Sequence, residues 1–117
     1  MSAKREKPPA PEPLPGLVDA HTHLDACGAT DAASIKEILD RAEAVGVEKV
    51  VTIADDLEAA QWAVQAAHAD PRVYAAVALH PTRAGALDDE ARRTLETLAQ
   101  DPRVVAVGET GMDMYWP

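Results

Sequence analysis

A chain of 117 residues can bury one modest core, and its only aromatic side chains are Trp62, Tyr74, Tyr115 and Trp116, so Ala, Val and Leu must fill that core. The net charge is −9, and the first sixteen residues are slightly basic, so the remainder is more acidic still; this excludes the basic surface with which proteins ordinarily meet nucleic-acid phosphates, and any phosphate chemistry must draw positive charge from metal or from residues elsewhere. No apolar run follows the N-terminal charges and none approaches the roughly 20 residues that span a bilayer, which predicts a soluble, cytoplasmic protein with no membrane partner.

Residues 1–16 hold five of the nine prolines. Fixed φ angles and missing N–H donors keep such a stretch extended, so it is expected to be a disordered Pro-rich tail. From Leu17 onward strand and helix alternate. Leu17–Ala20 is a short apolar strand that runs into His21-Thr22-His23-Leu24-Asp25. Cys27, the lone cysteine, excludes an intrachain disulfide, suits a reducing compartment and is expected to be a small, half-buried side chain. A helix is predicted over Asp31–Val45, with Ile35, Ile38, Leu39, Ala42 and Val45 at helical spacing and Gly46 placed to end it.

Val47–Ala54 is rich in β-branched residues and predicts a second strand. Leu57–Ala69 is an Ala-rich helix, and His68 lies on it, away from any strand end, so it is not expected to bind metal. Val73–Leu79 predicts a third strand, Asp88–Gln100 a third helix and Val104–Gly108 a fourth strand. Asp70-Pro71-Arg72-Val73 recurs as Asp101-Pro102-Arg103-Val104, 31 residues later. That shift is one strand-plus-helix unit, with Asp-Pro ending a helix and Arg-Val opening a strand. Near-continuous apolar strands fit a parallel sheet covered by helices, and the absence of a Gly-rich phosphate loop favours a barrel over a dinucleotide-binding sheet. The expected fold class is therefore α/β, the N-terminal half of a (β/α)8 TIM barrel with four strands and three helices. A full barrel takes on the order of 250 residues, so residues 17–117 are expected to be a truncated part of one.

The chemistry concentrates at the C-terminal ends of these strands. An HxH is a weak signal alone, but His21 and His23, two residues apart on a strand, turn to the same face and can supply half of a divalent-metal site. Glu109 ends the fourth strand in Gly108-Glu109-Thr110-Gly111-Met112-Asp113, where a carboxylate at a barrel mouth reads as catalytic. His80, in His80-Pro81 after the third strand, is either a contact to a substrate phosphate, a group supporting the ligands, or structural. Asp25 and Asp113 are acidic groups at the same mouth, suited to orienting a histidine or a water. Asp19 reads as a source of structural hydrogen bonds.

Taken together, His21-Thr22-His23-Leu24-Asp25, Leu79-His80-Pro81 and Gly108-Glu109-Thr110-Gly111-Met112-Asp113 resemble, in order and spacing, the TatD family of metal-dependent deoxyribonucleases, which are amidohydrolase-type TIM barrels. The resemblance covers residues 17–117. It implies that His21 and His23 bind one divalent metal ion (Mg2+, Mn2+ or Zn2+) and that Glu109 bridges to a second. It also implies DNA as the substrate, with 3′-exonuclease hydrolysis by a metal-activated water, and further ligands (two histidines and an aspartate) on later strands.

Two departures bear on the substrate. Ala78-Leu79 precedes His80 where the family usually has a glycine, and Gly111-Met112-Asp113-Met114 replaces the usual Gly-Leu-Asp-Tyr, with the aromatic residue displaced to Tyr115. Related barrels that hydrolyse amides or lactones, or deaminate bases, commonly carry a carboxylated lysine where Glu109 stands. An aminoacyl-tRNA deacylase and a fragment without activity remain as further alternatives.

Overall fold

The computed structural model describes residues 5–115; Met1–Lys4 of the expected tail, and Trp116 with Pro117, lie outside the described residues. Four strands, β1 (Leu17–Thr22), β2 (Val47–Ile53), β3 (Val73–Val77) and β4 (Val104–Val107), alternate with helices α1 (Ala32–Ala44), α2 (Leu57–Ala69) and α3 (Asp89–Ala99). The strands form one parallel sheet in the order β1-β2-β3-β4. Each connection crosses over through a helix, as parallel neighbours require.

Every helix starts in the same way. Asp31, Asp56 and Asp88 are N-caps whose carboxylates accept the N–H of Ser34, Ala59 and Ala91, satisfying one of the amides that a first helical turn leaves unpaired. Helix α1 ends at Gly46, whose φ of +97° suits glycine and whose N–H returns to the Glu43 carbonyl at 2.9 Å. The repeated Asp-Pro-Arg-Val segments make one turn twice. Asp70 Oδ1 accepts Arg72 N–H at 2.9 Å and Asp101 Oδ1 accepts Arg103 N–H at 2.8 Å. In each copy the Asp carbonyl also accepts the amide of the strand's first Val.

The core is made of small aliphatic residues, as the lack of Phe requires. Ala60, Ala63, Val64 and Ala67 of α2 pack on Val50, Val73, Ala75 and Val77, joined by Leu24, Ile35 and Leu39. Small side chains on α2 let the helix lie close to the sheet, and each fully buried Val, Leu or Ile contributes about 1.5–3 kcal/mol, each Ala less.

Burial differs from the expectation of four equally covered strands. β3 is buried except at the half-buried Tyr74, whereas β1 and β4, at the two edges of the sheet, keep most side chains exposed, including Val18, Val105 and Val107. An edge strand in this chain has a neighbour on one side only. The strand ends also move by a few residues: β1 runs on to Thr22, β3 stops at Val77 and β4 at Val107. A 3-10 turn at Pro81–Ala86, η1, stands where no element was expected. His80 caps it and Pro81 opens it, the position at which proline's missing donor costs nothing.

Cys27 is exposed rather than half-buried. It sits on the outside of the turn after β1, where Leu24 and Ala29 take the inward positions. The Pro-rich segment through Pro13 is exposed and carries neither helix nor strand. Backbone pairing begins at Leu14, whose N–H donates to the Val45 carbonyl at 3.1 Å.

Candidate metal centre

The C-terminal ends of the strands are tied to one another in sequence. The His80 amide donates to the Asp55 carbonyl at 2.8 Å, joining the segment after β3 to that after β2, and the Gly108 amide donates to the Val77 carbonyl at 3.2 Å, joining β4 to β3. Between β1 and β2 the tie is a side chain: the His23 ring meets the Ile53 carbonyl at 2.9 Å.

Alternation along β1 does not account for the placing of the histidine pair. The register with β2 slips between Asp19 and Thr22, where three steps on β1 oppose two on β2, and His23 lies one residue beyond the strand. The bulge re-aims the chain, and Asp19 steadies it by accepting the His21 amide at 3.1 Å. The two imidazoles end 5.2 Å apart, centroid to centroid, with their planes at 73°.

The hydrogen bond from His23 settles its tautomer. A carbonyl can only accept, so Nδ1 carries the proton, and in the neutral ring Nε2 keeps its lone pair. A backbone carbonyl behind one ring nitrogen is the usual companion of a histidine that binds metal through the other. His80 has the opposite arrangement. Its Nδ1 accepts the Thr82 N–H at 3.2 Å, with the Thr82 hydroxyl also 2.8 Å away. The proton of the neutral ring is therefore on Nε2, which faces Glu109 Oε1 at 3.4 Å.

Glu109 stands between these groups, with Oε2 3.2 Å from His21 Nε2 and Oε1 toward His80. His21, His23 and Glu109 each offer a ligand atom, and the three atoms lie within 4.8 Å of one another. Around a tetrahedral ion with bonds of about 2.1 Å, donors sit roughly 3.4 Å apart, so small side-chain rotations bring this set into range. The donor chemistry, two imidazoles and a carboxylate with one tautomer already fixed, fits a divalent cation.

The remaining sequence candidates stand apart from this group. Asp25 is exposed in the turn Leu24–Gly28, and Asp113 accepts the Tyr115 amide at 2.9 Å. Among the described residues, the carboxylate within ion-pair distance of His21 and of His80 is Glu109, not Asp25 or Asp113. His68 lies on α2, as expected, and meets Asp101 Oδ2 at 2.7 Å. Sequence reasoning missed Ile53, Thr52 and Thr82. The signals were faint: one hydroxyl residue in the apolar run Val50-Val51-Thr52-Ile53, and a Thr two places after a histidine.

The family model described as TatD related DNase matches residues 18–117. The chain belongs to the TatD family. It is 67% identical over 101 residues to the protein named "Uncharacterized metal-dependent hydrolase TatD" from Mycobacterium tuberculosis, a match covering 86% of this chain and 38% of that protein. It is 34% identical over 77 residues to the "3'-5' ssDNA/RNA exonuclease TatD" of Cronobacter turicensis, covering 66% of this chain and 29% of that one. The crystal structure of YJJV, a TatD homologue from Escherichia coli, superposes with a TM-score of 0.69 at 30% identity, over 85% of this chain and 38% of that chain.

This TatD chain thus spans less than two fifths of the relatives it matches, and corresponds to their N-terminal part. The expected α/β half-barrel architecture agrees with that match. No helix among the described residues is long and apolar enough to cross a membrane.

Proposed function

We propose that this TatD chain contributes the first ligands of a divalent-metal hydrolase that cleaves phosphodiester bonds, with DNA as the substrate and 3′-exonuclease polarity. The observation that carries the reading is the gathering of His21, His23 and Glu109 at one end of the sheet, with His23 Nε2 left as an acceptor. The nuclease assignment is supported by relatives named as 3'-5' ssDNA/RNA exonucleases. A carboxylate at position 109 favours it over the branch that uses a carboxylated lysine.

In this reading His21 and His23 would hold one divalent ion, and Glu109 would help to hold it and a second. A bound divalent ion would supply Lewis acidity, lowering the pKa of a water toward neutrality, and its charge would offset the acidic surface for an incoming phosphate. The chain's own residues do the rest. Ile53 fixes the His23 ring, the Glu109 carboxylate is held between two histidines, and His80 presents an Nε2–H that can donate to Glu109 or to a substrate phosphate oxygen. Asp25 and Asp113 are proposed as acidic groups at the same mouth that orient a histidine or a water.

The test is release of 3′ nucleotides from single-stranded DNA by the full-length protein, with Mg2+, Mn2+ or Zn2+ and with chelator, alongside RNA, an aminoacyl-tRNA and an amide substrate. DNA cleavage that needs metal and disappears in Glu109→Ala supports the reading. Turnover of the amide or the aminoacyl ester alone overturns it, and metal binding without turnover of any substrate assigns the chain a binding role only.

A further inference from the structure

His23 stands beyond the last residue of β1, so strand pairing does not hold it. Two consecutive residues at the end of β2 do. Ile53 offers its carbonyl to the ring at 2.9 Å, and Thr52 offers Oγ1 to the amide of the next residue, Leu24, at 3.2 Å. Thr52 is 1% exposed, and only Asp70 joins it as a buried polar residue among those described.

Valine would suit this position as well by strand propensity and volume. A buried hydroxyl costs free energy unless it is bonded, and the Leu24 amide is the group Thr52 satisfies across strands. The Leu24 side chain is itself buried, 2% exposed, and anchors the turn. An apolar contact is non-directional, however, and the orientation of the His23–Leu24 peptide is set by its hydrogen bonds. Its carbonyl accepts the Cys27 amide at 3.0 Å within the turn, and its N–H, donated to Thr52, makes the bond that ties that peptide to β2.

We propose that Thr52 is a positioning residue for the metal centre. Its hydroxyl sets the His23–Leu24 peptide plane so that the ring keeps Nδ1–H on the Ile53 carbonyl and Nε2 on the side of His21 and Glu109. The inference rests on the metal reading of the site given above.

The experiment compares the full chain with Thr52→Val, which keeps the shape and removes the hydroxyl, and Thr52→Ser, which keeps the hydroxyl. Nitrogen-15 NMR of the histidine rings without metal, at about pH 8 where imidazole is neutral, reads the His23 tautomer. A Co2+ titration followed by visible absorbance reads affinity. The expected result is Nδ1–H on His23 in the parent and in Thr52→Ser, a mixed or Nε2–H population in Thr52→Val, and Co2+ binding weaker by about 10–100-fold in Thr52→Val alone, the range seen when groups behind metal ligands are removed.

An unchanged tautomer and affinity in Thr52→Val overturn the proposal. A parent chain that shows the tautomer change on Thr52→Val but binds no Co2+ overturns the metal reading and leaves the positioning intact. Should Thr52→Val fail to fold, amide exchange in the parent decides: a Leu24 amide as fast as those of exposed turns overturns the proposal, and a protected one, with Thr52→Ser behaving as the parent, supports it.

Discussion

His80 presents Nε2 to Glu109 Oε1 at 3.4 Å because Thr82 occupies its other ring nitrogen through a backbone amide. His80 therefore enters the site as a donor, whereas His23 enters it as an acceptor. Under the proposed nuclease function, replacing His80 by Ala should leave Co2+ affinity within about tenfold of the parent and lower DNA hydrolysis by about 100-fold or more, the scale of one lost proton donor. Calorimetric metal titration and a nuclease assay on the same preparations check this, and loss of metal binding would make His80 a ligand instead.

Glu109 separates two ways of weakening the site. Glu109→Ala removes a proposed ligand, and its effect on Co2+ affinity should exceed the 10–100-fold typical of groups that merely support ligands. Glu109→Gln keeps the shape and one carbonyl oxygen but loses the charge, so it should bind Co2+ more weakly than the parent and more tightly than Glu109→Ala. Equal affinity in all three proteins, measured by competition with a chromophoric chelator, sinks the assignment of Glu109 as a ligand.

Gly46 is required twice over. Its φ is +97°, and a Cβ built on it overlaps the backbone carbonyl of Leu14. Gly46→Ala should cost about 1–2 kcal/mol for the left-handed backbone alone, and more for the displaced Leu14–Val45 pairing. A lower urea midpoint with an unchanged denaturant slope is the expected outcome. A midpoint equal to the parent's would contradict both the left-handed backbone and the overlap with Leu14 as costs at this position.

Asp70 predicts how stability responds to acid. It is buried beneath Arg72, accepting the Arg72 amide and Nε at 2.9 Å each and Nη2 at 2.7 Å. The Arg72 hydrogen bonds hold the Asp70 carboxyl below the ordinary carboxylate range, and the same ion pair raises the Arg72 guanidinium above its usual value. Asp40 is lowered in the same sense by Lys36 and then Arg72. The folded state thus holds these protons less tightly than the unfolded chain. Their stabilisation is full above the unfolded carboxylate value near 3.9 and is lost as pH falls below it. Asp70→Asn should lower stability at neutral pH by about 1–3 kcal/mol and flatten its dependence between about pH 5 and pH 3. Parallel denaturation curves across that range test both statements.

The order of elements was legible because each run has one dominant period and a clear stop. Val47–Ile53 is β-branched, Leu57–Ala69 is Ala-rich, and Asp-Pro closes α2 and α3 in the same turn. The gathering of His21, His23 and Glu109 was legible because these are residue types with few other reasons to stand at strand ends. What was hidden is the machinery that aims them. A carbonyl such as that of Ile53 is the same atom in every residue, so the contact fixing the His23 tautomer leaves no trace in residue type. The bulge in β1 is likewise a matter of register, set by a neighbour 30 positions away. The exposure of Val105 and Val107 follows from what flanks β4 in space, which hydrophobicity along one strand does not encode.

The hydrogen bonds to backbone carbonyls across the strand ends run between neighbours, His23 to Ile53, His80 to Asp55 and Gly108 to Val77, while the Glu109–His21 contact reaches from the end of β4 to β1. Each of those hydrogen bonds is closed by the next strand–helix unit to be added. Since chains emerge N-terminus first and contacts between adjacent units form without long loop closure, His23 acquires its orientation as β2 docks, and His80 is seated when β3 arrives. Glu109 comes last. The proposed trio of ligands comes together only when β4 has paired, so an ion held through all three side chains would report that the fourth strand is in place.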